Sequence, residues 1–143
     1  MPYKYLDNIA IADAAFEATG ATLVEMFAAA ADAAMNVMVA DLNTIANQHH
    51  KTIHLTDDAL DMLLFQFLQE FIFFKDAENL LLRTTTLKIT HTHTTYTLNA
   101  QLAGQNINPK IHELVTDIKA VTLHRLNVQK IKSTWTATAV LDT

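Results

Sequence analysis

Two histidines separated by one residue are the first candidates for chemistry in this sequence. His91 and His93 alternate with threonines in the run THTHT at residues 90–94. Residues two apart on a strand point to the same face, so the two imidazoles could chelate a metal ion. Leu87 and Ile89 precede them on that face, and the histidines could equally extend a core-facing row to a hairpin end. Spacing alone favours this structural interpretation.

The end of the sequence carries a second candidate, built from oxygen donors. Asp142 follows an apolar strand pattern, and Thr143, which comes after it, is expected to carry the terminal carboxylate. Together with one more carboxylate from elsewhere, these groups would suit a hard divalent cation such as Ca²⁺, Mg²⁺ or Mn²⁺. Composition and spacing leave the alternative of a frayed terminus open.

Other carboxylates and histidines have structural interpretations. Asp57 and Asp58 fall at the predicted start of a helix, where negative charge is favourable. Asp61, one turn on, is expected to face solvent. His49 and His50 are adjacent, so on a strand they would point in opposite directions and chelate poorly.

One turn stands out by its density of polar groups. Residues 108–114 read NPKIHEL, and a predicted strand with Asp117 and Lys119 follows. Loops of this kind can hold functional residues, whereas a solvated turn is the default interpretation.

The composition excludes several classes of function. There is no cysteine, which removes disulfides, thiolate nucleophiles and cysteine-bound zinc. With two glycines and no G-x-S-x-G motif, Gly-rich nucleotide loops and nucleophile elbows are absent. The net charge of -5 argues against wholesale electrostatic capture of nucleic acid or an anionic membrane.

Length and hydrophobicity predict one domain spanning residues 1–143. A chain of 143 residues that is 50% hydrophobic can bury a substantial core. No signal peptide is visible, which predicts a cytoplasmic protein. The longest apolar stretch, residues 60–74, is interrupted by polar side chains and is shorter than the roughly 20 residues that span a bilayer. We therefore expect a buried helix there and no membrane association.

Hydrophobic periodicity predicts two helices among many strands. Helices are expected at 22–39, where Thr22 and Glu25 form a capping box, and at 56–74. Strands are expected at 3–6, 9–19, 50–55, 81–92, 95–103, 113–122, 126–132 and 135–141. The predicted class is α+β, with two helices packed on one face of a mainly antiparallel β-sheet.

The second predicted helix has more apolar surface than one face requires. Phe65, Ile72 and Phe73 lie beside its main apolar stripe. The helix could pack on both a sheet and a neighbouring helix, or it could expose a patch that binds a partner.

The segment at residues 108–124, which we call the signature segment, resembles a known family. It reads NPKIHELVTDIKAVTLH and is similar to the archease signature, approximately DPxRHEL-x-TEVKAVTYH. Residues 12–27 and 63–76 agree with two further archease blocks in order and spacing, and VLDT at 140–143 resembles the closing strand. The resemblance covers nearly the whole chain.

This resemblance implies a non-catalytic protein that activates an RtcB-type RNA ligase. Archeases promote guanylylation of that ligase by GTP and metal and thereby permit multiple turnover in tRNA splicing and RNA repair. The protein would contact nucleic acid only indirectly, through the ligase.

The resemblance also implies site residues. Asp13, Asp142 and the main-chain oxygens of Thr143 match the divalent-metal ligands of the family, with calcium the expected ion and magnesium or manganese as alternatives. Lys110 and Asp117 match a functional basic residue and a functional Glu. The chain departs from the family by Asp117 in place of Glu, by Leu123 in place of Tyr, and by a longer segment without His before Asp13.

Two other functions remain open at this point. A general chaperone or modulator of nucleic-acid-modifying enzymes would use the surplus apolar surface of the second helix. A small metal-dependent hydrolase is disfavoured, since no general base in a defined cleft is evident.

Overall fold

A computed structural model describes residues 2–7 and 13–143 of the chain. Within these ranges the secondary-structure elements are, in chain order, β1 (Tyr3–Leu6), β2 (Asp13–Gly20), α1 (Leu23–Met38), a 3-10 helix (Leu42–Thr44), β3 (His49–Asp57), α2 (Leu60–Glu78), β4 (Leu80–Thr92), β5 (Thr95–Asn106), β6 (Ala120–Val121), β7 (Asn127–Ile131) and β8 (Thr134–Asp142). The first part of the strand predicted at 9–19 lies outside the described residues.

The helix α1 begins as its sequence predicts. The Thr22 hydroxyl accepts a hydrogen bond from the Glu25 amide at 3.1 Å. The Glu25 carboxylate in turn accepts one from the Ala21 amide at 3.0 Å. These reciprocal bonds satisfy amide groups that have no partner inside the helix.

Replacing Thr22 by Ala is expected to lower the free energy of unfolding by about 1 kcal/mol, because one of these capping bonds is lost. Urea denaturation checks this value. Thr90→Ala, at an exposed strand position, is the control and is expected to behave like the parent. Equal losses in the two variants would contradict the capping role.

The helix α2 begins later and ends later than predicted. Thr56 and Asp57 belong to β3, and Ala59 precedes the helix without a side-chain cap. Asp57 still accepts the Ala59 amide at 2.9 Å, so its carboxylate lies near the start of the helix. The helix runs past Phe74 to Glu78 and ends where Asn79 takes a left-handed conformation, with φ 57.

The strands form two antiparallel sheets. In the larger one the order is β1-β2-β8-β6, and β7 also pairs with β8. In the smaller one the order is β3-β5-β4. The α+β class is confirmed, and the strands that we expected in a single sheet are divided between these two.

The helices lie where both sheets can be buried against them. α1 packs on β2, β4 and β8, and α2 packs on β3, β4 and β6. The aromatic rings of Phe67 and Phe71 meet edge to face with centroids 5.1 Å apart. Ile72 is buried and Phe65 is partly buried, whereas Phe73 is 58% exposed. Packing on sheets and helix therefore explains the apolar surplus of α2, apart from Phe73.

The strand predicted at 113–122 is wrong except for its last residues, where β6 forms. The backbone of this segment instead bonds to the end of α1. Ala40 donates to the Glu113 carbonyl at 2.9 Å, and Val115 donates to the Met38 carbonyl at 2.9 Å. Alternating residue types predicted a strand, but the neighbour of this backbone is a helix terminus with free carbonyls.

Candidate functional site

The strands β2 and β8 bring Asp13 and Asp142 together. The two residues are directly opposite in the antiparallel register. Directly opposite residues share a face of the sheet. Phe16 and Leu141, which lie on the other face, belong to the hydrophobic core. Both aspartates therefore project from the outer face of the larger sheet, away from the helices.

The backbone hydrogen bonds show which type of antiparallel pair Asp13 and Asp142 form. The Asp142 carbonyl accepts a hydrogen bond from the Lys119 amide at 2.8 Å, so the polar backbone groups of Asp142 face the signature segment and not β2. Asp13 and Asp142 are thus a non-hydrogen-bonded pair, whose Cα atoms are typically about 4.5 Å apart with close side chains. Both residues are partly exposed, so their carboxylates are accessible from solvent.

The donor set of this pair fits a hard cation. Two carboxylates on one face can coordinate Ca²⁺, Mg²⁺ or Mn²⁺, all of which prefer oxygen. Thr143 follows directly and already has an interaction of its own. In residues 2–7 and 13–143 there is no cluster of three or more His, Asp or Glu side chains suited to a metal. Main-chain oxygen, water or a partner would therefore complete the coordination.

The turn that opens the signature segment is held by its own polar groups. The Asn108 side chain accepts the Lys110 amide at 3.0 Å, and the Asn108 carbonyl accepts the His112 amide at 2.8 Å. This arrangement is an Asx turn that overlaps a single i to i+4 turn, both starting at Asn108. Lys110 stands at its tip, exposed to solvent.

The buried side chain of His112 stabilises this turn through two hydrogen bonds. Its ring is 1% exposed. Nδ1 accepts the Asn108 amide at 3.0 Å, and Nε2 lies 2.8 Å from the Gln105 side-chain oxygen. Since the Asn108 amide is a donor, Nε2 must carry the proton and donate to Gln105. His112 is therefore a structural residue of the signature segment.

Asp117 is paired with a buried lysine on α2. Its carboxylate is 72% exposed, while the Lys75 side chain is 6% exposed, and the two groups are in direct contact. Lys75 also donates to the Ile118 carbonyl at 2.8 Å and lies 2.9 Å from the Asp76 carboxylate. Burial of the ammonium lowers the pKa of Lys75, but Asp117 and Asp76 outweigh this effect, and the net pKa is raised.

Sequence reasoning missed Lys75, although a signal was present. Leu68, Phe71 and Ile72 are buried on α2, and Lys75 lies four residues after Phe71 and three after Ile72. Continuing the helix past Phe74 would have placed a lysine on the buried stripe. A cation at such a position needs a partner, which points to a nearby carboxylate.

The candidate metal site of His91 and His93 does not form in the structure. His93 lies in the two-residue turn between β4 and β5 and has φ 55. The His91 ring stacks on Tyr96, with centroids 3.9 Å apart and planes at 11°. The two imidazoles are at a hairpin end, as the structural interpretation held. His49 and His50 are exposed strand residues.

The signature segment also carries apolar side chains on the surface. Val115 and Leu123 are each 61% exposed, and Ile111 and Leu114 are 47% and 46% exposed. A pocket of about 120 Å³ opens between Leu114, Val115 and the Lys75–Asp117 pair. Apolar groups grouped around polar ones are common where a protein binds a partner.

Neither helix described here combines the length and apolar character that crossing a bilayer requires.

The chain matches, over residues 3–143, the model of the archease protein family (MTH1598/TM1083). It is 31% identical to the archease of Pyrococcus abyssi over 132 residues, covering 92% of each chain. It is 32% identical to the archease of Methanosarcina barkeri over 141 residues, covering 98% of this chain and 94% of that one.

Solved structures agree with these relatives. The solution structure of Methanobacterium thermoautotrophicum protein 1598 superimposes with a TM-score of 0.85 at 27% identity, covering 99% of both chains. A Thermotoga maritima crystal structure described as an archease and possible chaperone has the same fold, with a TM-score of 0.60 at 18% identity over 94% of this chain and 93% of that one. Sequence, fold and the near-complete match to the family model together establish that the chain belongs to the archease family.

Proposed function

We propose that this chain activates an RtcB-type RNA ligase in the cytoplasm by promoting its metal- and GTP-dependent guanylylation, without itself catalysing a reaction. Asp13, Asp142 and the main-chain oxygen of Thr143 would hold a divalent cation, with Ca²⁺ expected and Mg²⁺ or Mn²⁺ as alternatives. Lys110 and Asp117 would act on the ligase. The ligase, in turn, would contact tRNA or damaged RNA.

The observation that carries this proposal is the pairing of Asp13 with Asp142 beside the signature segment. The two carboxylates are cross-strand neighbours, and the Asp142 carbonyl is bonded to the Lys119 amide. The signature segment, which carries Lys110 and Asp117, is thus hydrogen-bonded through Lys119 to the strand that carries the proposed metal ligand Asp142. This bond supports the proposal that the segment and the aspartate pair act together.

The chemistry of the residues fits this role. A bound divalent cation supplies positive charge that neutralises phosphate during nucleotidyl transfer. Exposed Lys110 can contact a phosphate or a carboxylate of the partner. The Asp117 carboxylate is mostly exposed, so it can accept a hydrogen bond from the partner while Lys75 fixes its orientation.

A guanylylation assay tests the proposal directly. Limiting RtcB-type ligase is incubated with labelled GTP and divalent metal, with and without substoichiometric amounts of the protein. Label transfer is expected to be faster with the parent protein and to lose this stimulation with Asp142→Asn. Glu17→Gln serves as the matched control, since Glu17 is on β2 four residues from Asp13 and pairs with Lys4 at 3.7 Å.

Equal stimulation by Asp142→Asn, shown to be folded, would contradict the metal site while leaving activation intact. An absence of stimulation by the parent on its cognate ligase would contradict the proposed function as a whole.

A second candidate function is a general chaperone or modulator of nucleic-acid-modifying enzymes. It is favoured by the exposed apolar side chains of the signature segment, Val115 and Leu123 above all. Client range separates the candidates. An activator should stimulate only the ligase, whereas a chaperone should also suppress aggregation of unrelated enzymes, and light scattering during their thermal denaturation measures this.

A further inference from the structure

We infer that Lys75 is a positioning residue for ligase activation, which holds Asp117 in a fixed relation to the Asp13–Asp142 pair. This inference rests on the proposed function and extends it to a residue in the body of α2.

The ammonium has three protein oxygens around it, from Asp117, Asp76 and the Ile118 carbonyl. An ammonium group has three donors, so Lys75 is satisfied without water. The cation is held at 6% exposure, while Asp117 is 72% exposed. One side of the Asp117 carboxylate is therefore fixed by α2, and most of the remainder faces solvent.

The same contacts fix the backbone next to Asp117. Lys75 bonds to the carbonyl of Ile118, whose side chain is fully buried. The next residue, Lys119, donates its amide to Asp142 at 2.8 Å. Three consecutive residues thus link the Lys75 ammonium, the Asp117 carboxylate and the strand that carries Asp142.

An exposed aspartate on an irregular segment would otherwise sample many orientations. The backbone before it is held as far as Thr116, whose amide donates to the Val37 carbonyl at 3.2 Å, and β6 begins only at Ala120, so Asp117 lies in the irregular stretch between these two anchors. A buried charge that bonds both to its side chain and to the adjacent backbone removes this freedom, and pre-organisation of this kind strengthens binding and catalysis. Lys75 need not touch the ligase to have this effect.

The test compares Lys75→Met, Asp117→Asn and the double variant in the guanylylation assay. Lys75→Met preserves the length of the side chain but removes its charge and donors. We expect it to lower stimulation by at least about tenfold, because a displacement of about 1 Å in a functional group can cost up to roughly 100-fold. In the double variant we expect the same loss as in Asp117→Asn alone, because Lys75 acts through Asp117.

Lys51→Met is the matched control. Lys51, on β3, pairs with Glu78 of α2 at 2.7 Å and lies 5.1 Å from the Phe74 ring centroid, so it is a second lysine whose ammonium group contacts α2. It is expected to stimulate like the parent. Calcium affinity, measured by calorimetry, should be unchanged in Lys75→Met, whereas a general loosening of the fold would weaken it. If Lys75→Met does not fold, Lys75→Gln replaces it and is expected to show the same loss of stimulation.

The outcomes separate the two hypotheses. Stimulation by folded Lys75→Met equal to that of the parent, while Asp117→Asn is impaired, overturns the role of Lys75 and leaves the proposed function standing. Losses that multiply in the double variant also overturn it. A parent-like Asp117→Asn overturns the role of Asp117 in the proposed function and the positioning role with it.

Discussion

Replacing Asp142 by Asn is expected to weaken calcium binding by at least about 100-fold, because losing even an outer-shell partner of a metal ligand costs about 10–100-fold and Asp142 is proposed as a direct ligand. The reason is geometric. Asp13 and Asp142 are the only carboxylate side chains that the register of β2 and β8 places directly opposite each other in the described chain. With one of them neutral, the remaining carboxylate cannot offset the dehydration of a divalent ion.

Isothermal titration calorimetry with Ca²⁺ measures this loss, and Mn²⁺ and Mg²⁺ titrations rank the ions. Asp13→Asn should behave in the same way, whereas Glu17→Gln should bind as the parent does. A thermal melt gives a second readout, because a ligand at 100 times its Kd stabilises the fold by about 2.7 kcal/mol. Unchanged calcium affinity in both aspartate variants would contradict the proposed site and mean that any bound cation lies elsewhere.

His112→Ala is expected to have the largest effect on stability, about 3 kcal/mol lost from the free energy of unfolding, since each orphaned buried polar group costs about 1–3 kcal/mol. The Asn108 amide would lose its acceptor at 3.0 Å, and the buried Gln105 side-chain oxygen would lose the donor at 2.8 Å and keep only the Ala46 amide at 3.1 Å. A cavity left by the ring adds to this cost.

Urea denaturation at neutral pH measures this effect. His124→Ala is the control, since His124 is exposed on the same segment, and a change within about 0.5 kcal/mol is expected there. If the two variants lost equal stability, the ring of His112 would not be what holds the turn that carries Lys110.

Local patterns of sequence predicted most of the elements. The period of apolar residues located α1, and Thr22 with Glu25 marked its start. Alternation located β4, β5, β7 and β8 within a few residues. These elements obey rules that act between near neighbours, so no knowledge of the fold was required.

Long-range pairing was beyond such rules. Nothing in the residues around Asp13 indicates that β2 pairs with β8, and only the family resemblance placed Asp13 and Asp142 together. At 113–122 alternation predicted a strand, but the available partner was the end of α1, and the backbone bonds followed that partner. Lys75 was missed because the predicted helix ended at Phe74, and its pairing with Asp117, 42 positions away, is a long-range contact of the same kind.

The pairing of β2 with β8 has a consequence for how the molecule is made. These strands are nearly the whole chain apart, so joining them closes a very long loop, a contact of high sequence separation that forms late. During synthesis, a chain that has not yet released β8 can form the β4–β5 hairpin but has no paired aspartates. Pairing of the two aspartates, and with it any cation site that they form, therefore requires that β8 has been synthesised and has paired with β2.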